Sequence, residues 1–425
     1  MSQDGQTNDG VYRERIVDDL LRERLISAGA VVLQGPKGCG KTETGRRVAV
    51  SAIYLDTDQR ASEMLAVDPS LVLKGDNPRL IDEWQVDPRL WNHVRREVDD
   101  RRRKGLFVLT GSSVPVEDRN RHSGAGRFSF LRMRPMSFFE SGASNGDISL
   151  TSLFAGDPPR AAIPELTVTD LAVQATVGGW PGQLDVGAEA GGQAARDYLS
   201  QVAEVDVSVV AGGNRDPRRV RRLLRSIGRN VATEAPITLF AADSGGDSGP
   251  LARETVSDYL AVLERLMVVE DQPAWSPHLR SKATLRSAPK RHFVDPSLAV
   301  AAVDGSPERL LADLRYFGFV FESMIVRDLR ILGQPLGAEV YHYRDNTGLE
   351  VDAIVELRDG RWGAIEVKLG VGRVDEAAEN LKRFAAKVDP ASTGAPAFLA
   401  VVCGSSFGYR RPDGVDVIPA GALGP

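Results

Sequence analysis

The sequence predicts an α/β protein of several domains, and three observations carry that reading. The chain has 425 residues, 42% of them hydrophobic and 26% charged, which is enough for two or three domains with cores of their own. Near the start, the apolar run Ala30 to Leu33 leads into a glycine-rich loop and then a helical pattern. Near the end, "GLEVDAIVEL" and "WGAIEVKLG" read as two strands one hairpin apart, each carrying acids.

The amino terminus, "MSQDGQTNDG" (1–10), is polar and acidic with no hydrophobic stretch behind it, and reads as disordered. No run of 18 apolar residues occurs, so secretion and membrane spanning are disfavoured and a cytoplasmic location is expected. Two cysteines, Cys39 and Cys403, rule out a disulfide framework, and five scattered histidines offer no zinc-ligand spacing. A net charge of −5 recruits no nucleic acid globally, so any such contact must come from local basic patches. Two qualify: "RRRK" (Arg101 to Lys104), and Arg215 to Arg229, with seven arginines around an apolar stripe of Val220, Leu223, Leu224 and Ile227. A solvated face and a phosphate contact both fit that pattern.

Residues 11–155 read as a phosphate-binding domain. In "AVVLQGPKGCGKTETGRRVAV" a strand runs into Gly35, four spacers, Gly40, Lys41 and Thr42, and then a helix, which is a Walker A loop in its required setting. Glycines free the main chain to wrap its amides around phosphate, Lys41 reaches the β and γ phosphates, and Thr42 places a hydroxyl on Mg²⁺. Gly35, Pro36, Lys37, Gly38, Cys39, Gly40, Lys41, Thr42 and Glu43 are thus the expected ATP-binding segment. Cys39 is either redox-sensitive at a helix start or a small space-filler. In "PRLIDEWQ", Asp82 would hold magnesium through water and Glu83 would polarise the attacking water; the competing reading is a plain acidic turn. That acidic pair also weakens a small-molecule kinase reading. "GLFVLTGSS" then delivers Thr110, Ser112 and Ser113 to the same edge, one of them to sense the γ-phosphate. Arg127 in "GAGRFSF" is placed as an arginine finger across a subunit border, which would make a homo-oligomer, or else as a loop arginine in an ordinary ion pair.

Gly35 to Thr42, "LIDEWQ", "LTGSS", "GAGRFSFLRMRPMSFFE", "GGWPGQL" and "EVDAIVE…AIEVK" together resemble the prokaryotic P-loop ATPases of the AAA superfamily fused to a restriction-endonuclease-like domain of unknown function. The resemblance covers nearly the whole chain and implies an AAA-type domain, a helical and winged-helix middle (160–303) and a nuclease-like α/β end (304–425).

The residues of the middle agree with this. Val256, Tyr259, Leu260, Leu263 and Met267 form one helical face, followed by a short strand and a segment that reads as an exposed basic wing: Arg280, Lys282, Arg286, Lys290 and Arg291. Such folds lie on DNA or serve as packing modules. In the last third, Glu322 interrupts an apolar helix, Glu350 and Asp352 share one strand face, and Glu366 and Lys368 follow on the next strand with Ile365 and Val367 turned to the core. This is the order of the PD-(D/E)xK nuclease core. Asp352, Glu366 and Glu322 are the expected Mg²⁺ ligands, with Lys368 positioning water and Lys382 as an extra candidate. Without a metal the same groups would form a partly buried ion cluster. The main expectation is ATP hydrolysis coupled to a nuclease-like, DNA-associated domain. The alternative is a nucleotide-switched regulatory protein that binds a protein partner and cuts nothing.

Overall fold

The computed structural model describes residues 12–112, 124–162, 166–211, 215–246, 249–277 and 288–425. Five strands open the fold: β1 (Ala30–Gln34), β2 (Ser51–Tyr54), β3 (Arg79–Asp82), β4 (Phe107–Gly111) and β5 (Phe128–Arg132). They form one parallel sheet in the spatial order β2, β3, β4, β1, β5. β1 and β4 are apolar without alternation because central strands of a parallel sheet lose water on both faces. Parallel strands share one carboxyl edge, where the register sets Gln34 beside Gly111 and Arg132, and Tyr54 beside Asp82. Ligands of such sheets collect outside that edge.

The middle of the chain is helical, with Val168–Val177, Ala188–Gln201, Pro217–Arg229, Ile237–Gly245, Arg253–Arg265 and Pro296–Ala302 packed together. Between the last two helices lies a two-stranded antiparallel ribbon, Val269–Gln272 with Lys290–Phe293. Two residues of the expected basic wing are corrected here. Arg280, Lys282 and Arg286 lie outside the described residues, while Lys290 and Arg291 are only 2% and 8% exposed. Acids draw both inward: Arg291 pairs with Asp271 at 3.0 Å, and Lys290 meets three carboxylates.

The last third forms a mixed seven-stranded sheet: Glu339–Arg344, Glu350–Glu356, Trp362–Lys368, Phe398–Cys403, Asp416–Pro419, Phe407–Arg410 and, at the edge, Ala161–Ala162. Helix Leu314–Leu332 shares the larger core with Ile365 and Val367, and helix Val374–Lys387 packs with Ala364 and Val401 on the other face. Chain between the first part and the middle joins this packing. Ile148–Ser149 pairs with Leu423–Gly424, and Ala161–Ala162 pairs with Phe407 and Gly408, so chain next to residue 155 completes the carboxy-terminal sheets. Leu223 and Phe240 of the middle also lie in one continuous core with Phe321 and Ile365. Among the described residues no helix is long and apolar enough to cross a membrane.

Candidate nucleotide site and carboxylate site

β1 hands the chain to Gly35, where a Cβ would sit 2.3 Å from the Met133 carbonyl oxygen, so only glycine lets the loop pass. Gly38 and Gly40 take φ of +76° and +98°, which curls the loop back toward the helix that starts at Lys41. Cys39 is fully buried against Met133, which suits the space-filling role. Inside the loop the Lys41 ammonium donates to the Pro36 carbonyl at 2.8 Å. The Thr42 hydroxyl donates to Asp82 Oδ1 at 2.9 Å, and the Thr110 hydroxyl donates to the same oxygen. Residues from β1's loop, β3 and β4 thus meet at one carboxylate.

Glu83 follows Asp82 with φ +52°, a left-handed conformation that costs a non-glycine residue on the order of 1 kcal/mol. The Gln85 amide and the Ser112 hydroxyl, at 3.5 Å, both donate to Glu83 Oε2 and hold the carboxylate near the sheet edge. Ser113 lies outside the described residues. Arg127 is not brought to this site. It precedes Phe128, the partner of Ala30 at the amino end of β1, and it pairs with Asp99 at 2.8 Å, on the far side of the sheet from the glycine loop. Glu43 pairs with Arg46 and lines a cavity of about 520 Å³ with Tyr12, Arg13, Gly40, Pro181 and Leu184.

Two holders of the loop were not legible in the sequence. Arg15 is buried before the first helix and donates to the Cys39 carbonyl (2.9 Å), the Arg134 carbonyl (2.7 Å) and Glu140 (3.1 Å). Lys37 reaches Asp206 of the helical middle at 2.6 Å. "GGWPGQL" brings the middle to this place: a Cβ on Gly179 would lie 2.0 Å from the Met136 carbonyl oxygen, and Trp180 Nε1 donates to Ser297. The oxygen donors of Thr42 and Asp82, beside an ammonium and a glycine loop, fit a Mg²⁺–triphosphate.

At the second site, Asp352, Glu366 and Lys368 do converge. Lys368 Nζ lies 3.1 Å from Asp352 and 2.5 Å from Glu366, and Asp352 also accepts the Val367 amide at 2.8 Å. The helix that follows contributes Asn380, which donates to Glu366 at 2.8 Å; Lys382 points elsewhere, to Glu379 and Asp413. Glu322 reaches this cluster through a lysine that the sequence did not place there. Lys290 Nζ stands 2.7 Å from Glu322, 2.9 Å from Glu350 and 3.8 Å from Asp352. Among the described residues, no three His, Cys, Asp or Glu side chains are grouped to hold a metal ion. The Mg²⁺ that a nuclease core implies therefore does not fit the side chains as they stand.

The electrostatics follow the same division. Burial, with Asp352 adding to it, pushes the Glu366 carboxyl up, whereas for Asp352 the two lysines and the Val367 amide outweigh burial and hold it down. Burial also raises Glu322, to about 8, against the pull of Lys290. Burial alone would lower Lys290, but Glu322, Asp352 and Glu350 together raise it.

Three family models match separate stretches of the chain. Residues 27–141 match the family model of an AAA domain, residues 168–309 that of a domain of unknown function (DUF8612), and residues 317–423 that of a second domain of unknown function (DUF4143). Over 354 residues the chain is 25% identical to the uncharacterized proteins Rv2008c of Mycobacterium tuberculosis and Mb2031c of Mycobacterium bovis, covering 82% of this chain and 72% of each relative. Among solved structures it is similar to the Walker-type ATPase PABY2304 of Pyrococcus abyssi, at 14% identity and a TM-score of 0.39, over 67% of this chain and 94% of that one. The match to the AAA-domain model thus spans the glycine loop after β1 and Asp82 at the end of β3, which is the arrangement of a P-loop domain.

Proposed function

We propose that this protein binds and hydrolyses ATP and passes its nucleotide state to the carboxy-terminal domain. The observation that carries the reading is the meeting of Thr42 and Thr110 on Asp82 beside Lys41, with Glu83 next in the chain. Loop amides and Lys41 would bind the phosphate oxygens, while Thr42 and Asp82 would hold Mg²⁺, which when bound draws charge from the transferring phosphoryl group. Glu83 orients a water and takes its proton as the water oxygen bonds to the γ-phosphorus and the bond to the leaving β-phosphate oxygen breaks. Lys41→Ala should abolish ATP binding in equilibrium titration. Glu83→Gln should keep binding and slow turnover by roughly 10²- to 10⁴-fold. Turnover retained in Lys41→Ala would reject the assignment.

The partner we propose is nucleic acid, held by its phosphates. Arg218, Arg221, Arg222, Arg225 and Arg229 are exposed on one helix, and a cavity of about 320 Å³ beside them is lined by Arg196, Arg221, Arg222 and Arg225 with Asp304. For the carboxy-terminal domain, the place of Lys290 among the acids favours one element of the alternative, a nucleotide-switched domain that does not cut, with nucleic acid in place of its protein partner. A nicking assay with Mg²⁺ or Mn²⁺ separates the two: cleavage by the parent that is lost in Asp352→Ala supports a nuclease.

A further inference from the structure

We infer that Lys290 is the resident cation of the carboxylate site: its ammonium takes the place of a divalent ion and fastens the middle ribbon to the carboxy-terminal domain.

A hard divalent ion would need oxygen ligands at about 2.0–2.6 Å on every side. Lys290 Nζ already stands between Glu322 and Glu350, at 2.7 and 2.9 Å, with Asp352 at 3.8 Å. The other ammonium, Lys368, covers Asp352 and Glu366. All four carboxylates thus have a cationic partner from this chain, and an incoming cation would have to displace an ammonium to gather more than one of them.

Lys290 is also anchored so that it does not step aside as a surface lysine would. Its side chain is 2% exposed, and its strand is paired with Val269–Gln272. Two residues on, His292 bridges Gln272 and Ser323 at 3.0 Å each, and Ser323 adjoins Glu322 on the same helix. Between them Arg291 pairs with Asp271. Withdrawing the ammonium means detaching the ribbon from helix Leu314–Leu332. The charge contact and the domain contact are therefore one feature, and the lysine comes from outside the sheet whose acids it serves.

The test uses the full chain without nucleotide, so its outcome is independent of the ATPase reading. Mn²⁺ is titrated while free ion is followed by electron paramagnetic resonance. The parent should take up no Mn²⁺ with a dissociation constant below ~1 mM that depends on Asp352, so parent and Asp352→Asn should titrate alike. Lys290→Met removes the ammonium at similar length. It should gain one Mn²⁺ per chain, lose it again in the double variant Lys290→Met, Asp352→Asn, and melt at a higher temperature with Mn²⁺, unlike the parent. A parent site abolished by Asp352→Asn overturns the inference. So does a folded Lys290→Met chain that takes up no Mn²⁺. If Lys290→Met does not fold even with Mn²⁺ present, the comparison of the parent with Asp352→Asn decides alone.

Discussion

His342 is fully buried, with Nε2 3.2 Å from the Ala288 carbonyl oxygen and Nδ1 3.4 Å from Glu234. Burial, helped by Lys290, pushes its pKa down to about 4, so the folded imidazole is neutral at neutral pH. In the unfolded chain it protonates near its ordinary value of about 6.5. Between those two values the unfolded state binds more protons, so the stability that neutral His342 contributes is present above about 6.5 and is lost as pH falls toward 4. Buried His292, also shifted down by burial, adds a loss of the same sign. The raised carboxyls of Glu322 and Glu366 act with the opposite sign over the same window, so the test is the difference: urea unfolding should show His342→Gln losing less stability toward acid than the parent, and identical slopes would refute the assignment. At this scale the sequence was legible where a residue's role is written next to it. Lys41, Thr42 and Asp82 stand in a loop and a strand end whose geometry is local, whereas Lys290 reads as one more base in a basic run and only its distant acids reveal it.

Helix Pro217–Arg229 is an element whose form the sequence writes out in full. Asp216 caps it through the Arg218 amide, Pro217 takes the first position, and Val220, Leu223, Leu224 and Ile227 are buried at the spacing of one face. The arginines remain outside. Arg225 pairs with Asp304 at 3.2 Å with both side chains more than half exposed, an ion pair worth little. Replacing Arg218, Arg225 and Arg229 by alanine should thus leave the melting temperature nearly unchanged. It should weaken binding to duplex DNA and lower the salt dependence by roughly one unit of slope per arginine. Unchanged affinity and slope in a salt series would remove nucleic acid as the partner of this face. The ribbon is the contrasting element. Its strands carry Glu270, Asp271, Lys290 and Arg291, a pattern that reads as surface, yet Glu270 and Lys290 find partners on packed neighbours while Asp271 and Arg291 pair across the ribbon.

Across the whole molecule the three parts meet at Glu270. Arg134, just past β5, binds it with two hydrogen bonds of 2.6 and 2.9 Å; Arg132 of β5 stands at 3.6 Å, and Arg330 of helix Leu314–Leu332 at 3.4 Å. Burial would raise the Glu270 carboxyl, but the three guanidiniums hold it well below its ordinary range. Arg132 is also the register partner of Gln34, the residue before the glycine loop. Any shift of that loop is thus one strand away from a carboxylate shared with the other two parts. Glu270→Ala would leave buried arginines without their anion and should cost about 3–5 kcal/mol of unfolding free energy. On the proposed coupling, ATP should change the protease sensitivity of the carboxy-terminal domain in the parent, and Glu270→Ala should abolish that change. A variant as stable as the parent, with that change intact, would exclude Glu270 as the junction.

The local part can be read from the order of residues alone: the strand, glycine loop and helix at 30–46, the acidic end of β3, the striped arginine helix, and the paired acid and lysine on Trp362–Lys368. Each depends on neighbours within a few residues, through a torsion, a cap or a face. Only the tertiary structure decided where the long-range charges go. Arg127 is turned to Asp99, Arg15 is drawn under the loop, and Lys290 is set among Glu322, Glu350 and Asp352. A buried charge is stable only beside its opposite. Which opposite it finds is set by distant chain, 28 residues away for Arg127, 32 for Lys290 at Glu322 and 125 for Arg15 at Glu140, brought close by the packing of apolar faces that carry no record of those charges.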